Sequence, residues 1–318
     1  MNRSWVSLVL IVSAGLLSGC GEFGDDSMDT DEGSLSEARL ALTLQNGHEM
    51  NGTAINGNIL NGTKNNGTKN NGTKNNGTSL EGTDEDTGLV VSGMAMLGLT
   101  MPGVLGTNVE INLYIDEVRG SELSNGMYTY VFRKDNHSGE NVCLNDASAI
   151  PLNGRWNYAT GEFVDDPNFL TIACRGAALA KCIESGYRRD GTWNDGGTTR
   201  NNRDLHEACV RMIRADYCGN GVATTMNGTL VDIFDKKETQ TRSSDISLKL
   251  EAEWGPDGAH CINHTRWDTS AVGDVSAYLA ANCSSRNVAC GTGFGTGVLR
   301  NASGQNDHST SAFNGWTW

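Results

Sequence analysis

Alternation of apolar and polar residues marks two strands. In "NVEINLYID", Val109, Ile111, Leu113 and Ile115 fall on one face, with Glu110, Asn112, Tyr114 and Asp116 on the other. This is the period-two signature of a strand with one solvated face. "ISLKLEAEW" repeats it, setting Ile246, Leu248, Leu250, Ala252 and Trp254 against Ser247, Lys249, Glu251 and Glu253. The apolar runs "MYTYVFR" (127–133), "FLTIA" (169–173) and "TLVDIF" (229–234) are bounded by Gly, Asn and Asp turn signals and predict further strands. The period changes in "RDLHEACVRMIRA", where Leu205, Ala208, Cys209 and Met212 recur at three- and four-residue steps, predicting a helix capped by Asn202 or Asp204. "CRGAALAKCIES" and "TSAVGDVSAYLAANC" read as two more helices. The pattern predicts one strand-rich α+β domain with about three helices over residues 88–318.

Ahead of that domain the pattern changes three times. Residues 1–20 carry Arg3, then an apolar run from Trp5 to Leu17, then "LSGC" ending at Cys20. The run has a secretory layout and is shorter than a membrane span. "LSGC" resembles a bacterial lipobox, which implies cleavage before Cys20 and lipidation of its thiol; the other reading is an ordinary secretory signal with an incidental cysteine. Gly21 in place of Asp implies, by the same resemblance, the outer rather than the inner membrane. Residues 21–43 open as an acidic stretch with few large apolar side chains and read as a solvated linker.

Over 44–87 a glycine recurs every five residues, from Gly47 to Gly82, in units ending mostly in Asn-Gly-Thr. These units are similar to pentapeptide repeats, whose central apolar slot would hold Met50, Ile55, Leu60 and Leu80. Asn65, Asn70 and Asn75 occupy that slot in the middle units. Two readings stay open. One is a short β-helix, in which each slot amide must be hydrogen-bonded, since an unpaired one costs about 1–3 kcal/mol. The other, favoured because a solenoid generally needs about three coils or more, is a flexible tether. As a flexible chain, residues 21–87 would have a root-mean-square span of roughly 45 Å.

Charge and cysteine count narrow the setting. A formal charge of −14 argues against a nucleic-acid partner and against attraction to anionic lipid headgroups. Membrane attachment would rest on the lipid at Cys20. Of nine cysteines, Cys20 apart, eight remain, at 143, 174, 182, 209, 218, 261, 283 and 290. An even number in an exported chain predicts four disulfides.

Four stretches then follow in order: "LTIACRGAALAKCIESGYR", "LHEACVRMIRADYCGNGVA", "GTLVDIFD" and "LEAEWGPDGAHCINHTRW". Their sequence and spacing resemble the ADYC domain, a family named for its Ala-Asp-Tyr-Cys motif and found chiefly in exported proteins of myxobacteria and relatives. The resemblance runs from about 165 to 290 and carries no established activity. The motif here is Arg214, Ala215, Asp216, Tyr217 and Cys218. If 174–182 were one helix, Cys174 and Cys182 would lie about 12 Å apart along it, beyond the reach of a disulfide. Laddering that segment against the Cys209/Cys218 segment gives Cys174–Cys218 and Cys182–Cys209, and leaves Cys283–Cys290 and Cys143–Cys261. In this scaffold reading Gly219 stops the helix in a left-handed conformation, and Asp216 accepts backbone N–H groups or pairs with Arg211 or Arg214.

The competing reading is catalytic. Asp216 with His206, His260 or His264 and a hydroxyl such as Ser243 or Ser244 makes a triad on paper. No G-x-S-x-G elbow, H-E-x-x-H helix or catalytic-cysteine signature supports it. "HCINH", with His260, Cys261 and His264, lacks the second ligand pair that a zinc site needs. "GTGFGTG" (291–297) lacks the Lys-Ser/Thr of a phosphate loop, and no cofactor or metal is called for. "FNGWTW", with Phe313, Trp316 and Trp318, is expected to pack on the core. The expected protein is an outer-membrane lipoprotein whose domain serves as a non-catalytic binding or structural module, its partner an envelope protein or polysaccharide. The alternative is an envelope hydrolase centred on Asp216.

Overall fold

The computed structural model describes residues 73–304 apart from 85–86, 106–108, 121–122, 124, 144–145, 158–159, 168, 226–229, 244–246, 267–272 and 287, together with the strand backbones Thr43–Gln45 and Leu60–Lys64. Cys20, the acidic linker and "FNGWTW" lie outside the described residues. In chain order the strands are β1 (Thr43–Gln45), β2 (Leu60–Lys64), β3 (Lys74–Asn75), β4 (Leu80–Thr83), β5 (Val90–Ser92), β6 (Thr100–Leu105), β7 (Val109–Arg119), β8 (Thr129–Lys134) and β9 (Ala149–Asn153). They continue as β10 (Arg155–Asn157), β11 (Glu162–Val164), β12 (Phe169–Cys174), β13 (Thr192–Asp195), β14 (Thr198–Asn201), β15 (Leu230–Asp235), β16 (Lys249–Gly255), β17 (Gly258–Ile262) and β18 (Leu299–Ser303). The helices are α1 (Ala178–Glu184), α2 (Asn202–Arg214) and α3 (Val275–Cys283). The fold is α+β and strand-rich, as the pattern predicts.

Two cores share one wall. Strands β12-β2-β6-β7-β8-β9 close into an antiparallel barrel, and β7 points Ile111, Leu113 and Ile115 into it while Glu110 and Asn112 face solvent. The second core lies between a five-stranded sheet, β1-β15-β18-β16-β17, and the helices; α2 packs on β16, β17 and β18 and is flanked by α1. Because side chains alternate along a strand, β9 and β12 serve both cores. Ala149, Leu170, Ile172 and Cys174 turn into the barrel, while Ile150, Leu152 and Ala173 turn toward the helices.

Several expectations are corrected by this arrangement. The domain does not begin at 88: β3 and β4 form an antiparallel hairpin with Asn75 and Leu80 buried, and β2 is a barrel strand. Residues 73–83 are therefore neither tether nor β-helix coil. The polar face of β16 is solvated only at its start: Ser247 and Lys249 are exposed, whereas Glu251 and Glu253 are sealed in the interior against Arg266 and Arg300. Helix α2 is not capped by Asn202 or Asp204. Its N-cap is Asn201, which makes no side-chain cap bond, and the Asn202 amide is engaged elsewhere, by Asp190 C=O and Lys237 Nζ.

The disulfide ladder has only one of its rungs. Cys182 of α1 joins Cys209 of α2, with Cα atoms 5.8 Å apart. The other three pairs are Cys143–Cys174, Cys218–Cys283 and Cys261–Cys290, with Cα separations of 5.5, 5.3 and 5.1 Å. Cys283–Cys290 is absent because Cys283 meets Cys218 and Cys290 meets Cys261, and Cys174–Cys218 and Cys143–Cys261 are absent for a common reason. Cys174 ends β12 instead of opening a helix, and its side chain enters the barrel beside Cys143, on the far side of the shared wall from Cys218.

Candidate functional site

The Ala-Asp-Tyr-Cys motif occupies the turn that follows α2. The helix stops at Ala215 rather than Gly219: Ala215 has φ +51°, its N–H donates to Met212 C=O, and the Asp216 N–H donates to Arg211 C=O. These two bonds form a Schellman motif. Ala215 accepts a left-handed conformation that disfavours a Cβ, and that methyl group is fully buried. Gly219 is left-handed, at φ +67°, but lies beyond the helix end, and close approach requires it as well. A Cβ there would stand 1.7 Å from Asp257 C=O, where the turn abuts the β16–β17 hairpin.

Asp216 has no exposed surface. Its carboxylate accepts the N–H groups of Asn220 (3.1 Å) and Gly221 (2.9 Å) and a bond from Arg211 Nη1, with Arg214 Nη1 at 3.9 Å. Arg211 donates onward to Thr160 C=O (2.6 Å) and Pro256 C=O (3.1 Å). The carboxylate is the hub that ties the turn to α2 and to two distant loops.

Tyr217 is equally sealed. Its ring stacks on Trp254 at 5.1 Å, its hydroxyl donates to Glu251 Oε1 (2.8 Å), and it accepts the Arg266 N–H (2.8 Å). Burial first, and then the Glu251 charge, pushes the phenol far above its usual range. Glu251 also accepts Arg266 Nε (2.9 Å), Asn301 Nδ2 (2.8 Å) and Ser303 Oγ (2.5 Å). Two residues further along the strand, Glu253 takes the N–H groups of Gly295 (3.0 Å) and Gly297 (2.7 Å), and Arg300 Nε donates to it at 2.8 Å. The glycine-rich loop thus turns these two amides toward an internal carboxylate, leaving neither for a phosphate or an oxyanion. Cys218 is bonded to Cys283.

The candidate catalytic residues do not converge. His206 is fully buried, its ring nitrogens held by Glu207 Oε1 (3.2 Å) and Leu179 C=O (3.1 Å). His264 Nε2 faces Lys249 C=O at 3.1 Å, and Ser243 engages Asp232 through its N–H. Ser244 lies outside the described residues. His260 bridges Asp257 Oδ1 (2.9 Å) and Thr296 Oγ1 (2.8 Å), and its hydrogen bond pulls the Asp257 carboxyl down to about 2. Among the described residues no histidine bonds to Asp216. Within "HCINH" Cys261 is a disulfide partner of Cys290.

A cleft of about 470 Å³ opens beside the corner, lined by Thr160, Phe163, Arg203, Glu207, Arg211 and Asp257 among others. Glu207 is buried at its floor, accepting Trp156 Nε1 at 2.9 Å with Arg189 Nε at 3.8 Å. Burial pushes the Glu207 carboxyl up, but His206, Arg189 and Trp156 outweigh it and hold the group below its usual range. The guanidinium groups of Arg189 (4.1 Å) and Arg203 (4.9 Å) both lie over the Phe163 ring. Sequence reasoning named Arg211 but none of the others as site residues. Phe163 and Arg203 lie in stretches whose pattern predicts only local structure, and only the fold brings them together.

No curated protein and no solved structure matches the chain. The family model of the ADYC domain matches residues 93–268. It starts just before β6, ahead of the motifs that resemble the family, and takes in the barrel strands β6 to β9 and β12. With more than half of its length matched and its Ala-Asp-Tyr-Cys motif at the buried corner, the chain belongs to the ADYC domain family.

Proposed function

We propose that the domain is a non-catalytic binding or structural module of the cell envelope, anchored to the outer membrane through a lipid on Cys20. One observation carries the non-catalytic reading. The two reactive groups of the motif are consumed by the fold, Asp216 as a buried hydrogen-bond hub and Cys218 in a disulfide. A general base or nucleophile must reach its substrate within about 3 Å or one water; Asp216 is sealed from solvent, and half-buried Cys218 has no free thiol to offer.

The cleft beside the corner is the binding surface of this proposal. Its charged groups surround one aromatic ring, a lining suited to the hydroxyl-rich surface of an envelope polysaccharide. Trp156, directly behind Glu207, reports occupancy through its fluorescence. Titration with envelope polysaccharide fragments should give a saturable change that Arg203→Ala weakens. A hydrolytic activity lost in a folded Asp216→Asn variant would instead establish the hydrolase. For the anchor, Cys20→Ala should move the protein from the membrane to the soluble fraction; retention in the membrane would refute the lipid.

A further inference from the structure

Three consecutive identical pentads, Lys-Asn-Asn-Gly-Thr, occupy 64–68, 69–73 and 74–78. The domain grips the third. Asn75 N–H donates to Asn153 Oδ1 at 2.8 Å, and Asn153 Nδ2 donates back to Asn75 C=O at 2.7 Å. The buried Asn75 side chain donates to Pro151 C=O at 2.6 Å and accepts the Gly77 N–H at 2.7 Å. Arg188 Nη2 donates to Gly77 C=O, and Tyr128 N–H donates to Thr78 C=O at 2.8 Å. Asn76 Oδ1 closes the turn by accepting the N–H groups of Thr78 (3.2 Å) and Ser79 (3.0 Å). Gly77 has φ +101°, and a Cβ there would stand 3.2 Å from Asp190 Oδ2. Asparagine in the slot, asparagine in the turn and glycine after it are each selected.

We propose that this groove, built by Pro151 and Asn153 of β9 with Arg188, is a recognition site for the Asn-Asn-Gly-Thr unit, and that the unit at 69–73 occupies it in exchange with the unit at 74–78. All contacts to the third unit named above are to features that the second repeats letter for letter. The chain can reach. Leu170 of β12 pairs with both Thr63 and Asn153, so about 10 Å, two strand spacings, separates those residues. The six steps from Lys64 to Asn70 span up to about 20 Å. Exchange lengthens the β3–β4 turn from residues 76–79 to residues 71–79, four to nine. The connection from Lys64 shortens by the same amount, from residues 65–73 to residues 65–68, so chain-closure entropy favours neither unit. The third predominates because only it closes the tight turn in which Asn76 N–H donates to Ser79 C=O, and the second is a populated minor occupant.

The test is residue-resolved amide exchange on the full chain. Asn75→Ala should move slow exchange from the Gly77 amide to the Gly72 amide, each shifting by about tenfold or more. Asn70→Ala/Asn75→Ala should protect neither and melt below Asn75→Ala. Should the double variant fail to fold, the migration in Asn75→Ala alone decides the matter. Both amides exchanging freely in Asn75→Ala, with the double variant melting at the same temperature, would overturn the proposal.

Discussion

The barrel and the helix–sheet layer hold together by different means. The barrel core is built of apolar residues such as Leu113, Ile115, Phe132, Leu170 and Ile172, joined by one disulfide. The helix–sheet layer buries Asp216, Glu251 and Glu253 with Arg211, Arg266 and Arg300, and holds three disulfides. Apolar contacts fail gradually, because neighbours relax around a lost methyl group. A buried ion network fails abruptly, because a lone charge left behind has no remedy short of a change of protonation or the entry of water. The family motif sits in the region that fails abruptly, where Asp216 and Tyr217 are sealed in the network and Cys218 is cross-linked.

Single changes can break this contrast. The largest effect is expected from Glu251→Ala, which strands Arg266 and the Tyr217 hydroxyl. It should cost about 4 kcal/mol in urea denaturation, against less than half of that for a double replacement of Glu251 and Arg266 by apolar residues of similar size. Next is Cys218→Ala/Cys283→Ala, which opens a loop of 65 residues' separation and should cost about 3 kcal/mol. In the barrel, Ile115→Val should cost only about 1 kcal/mol. An equal loss from Ile115→Val and Glu251→Ala would erase the contrast.

The smallest effect is at the surface. Asp257 is held at about 2 by His260, with Arg286 beside it, so its carboxylate is stabilised in the folded chain. A depressed carboxyl contributes stability above its unfolded value of about 4, and loses it as pH falls through the folded value. The difference in melting temperature between the wild type and Asp257→Asn should therefore shrink between about pH 4 and 2. A difference that stays constant through that interval would remove Asp257 from the stabilising groups.

What could be read in the sequence follows the same division. Strand β7 announces itself because one face is apolar and the other wet, and α2 because Leu205, Ala208, Cys209 and Met212 share a face. Strand β16 has the same alternation and is misread, since nothing local says that Glu251 and Glu253 meet Arg266 and Arg300 in the interior. The cysteines gave four bridges by count, but partners depend on which wall of β12 a side chain leaves, and one residue of register decides that. Asn75 looks unfit for a buried slot until Asn153 and Pro151 supply its partners. The Asp216–Arg211 contact was legible because it is local, five residues apart after a helix. The cleft was not, because Phe163, Arg203 and Asp257 come from three separate segments.

The Ala-Asp-Tyr-Cys corner is cross-linked to α3 through Cys218–Cys283. Peptide mapping of the unreduced full chain, with alkylation to count free thiols, tests it most directly. The structure predicts a Cys218–Cys283 linkage and no free thiol among the eight cysteines from Cys143 to Cys290. A free, rapidly alkylated Cys218 would contradict it and return the motif to the candidates for a reactive site.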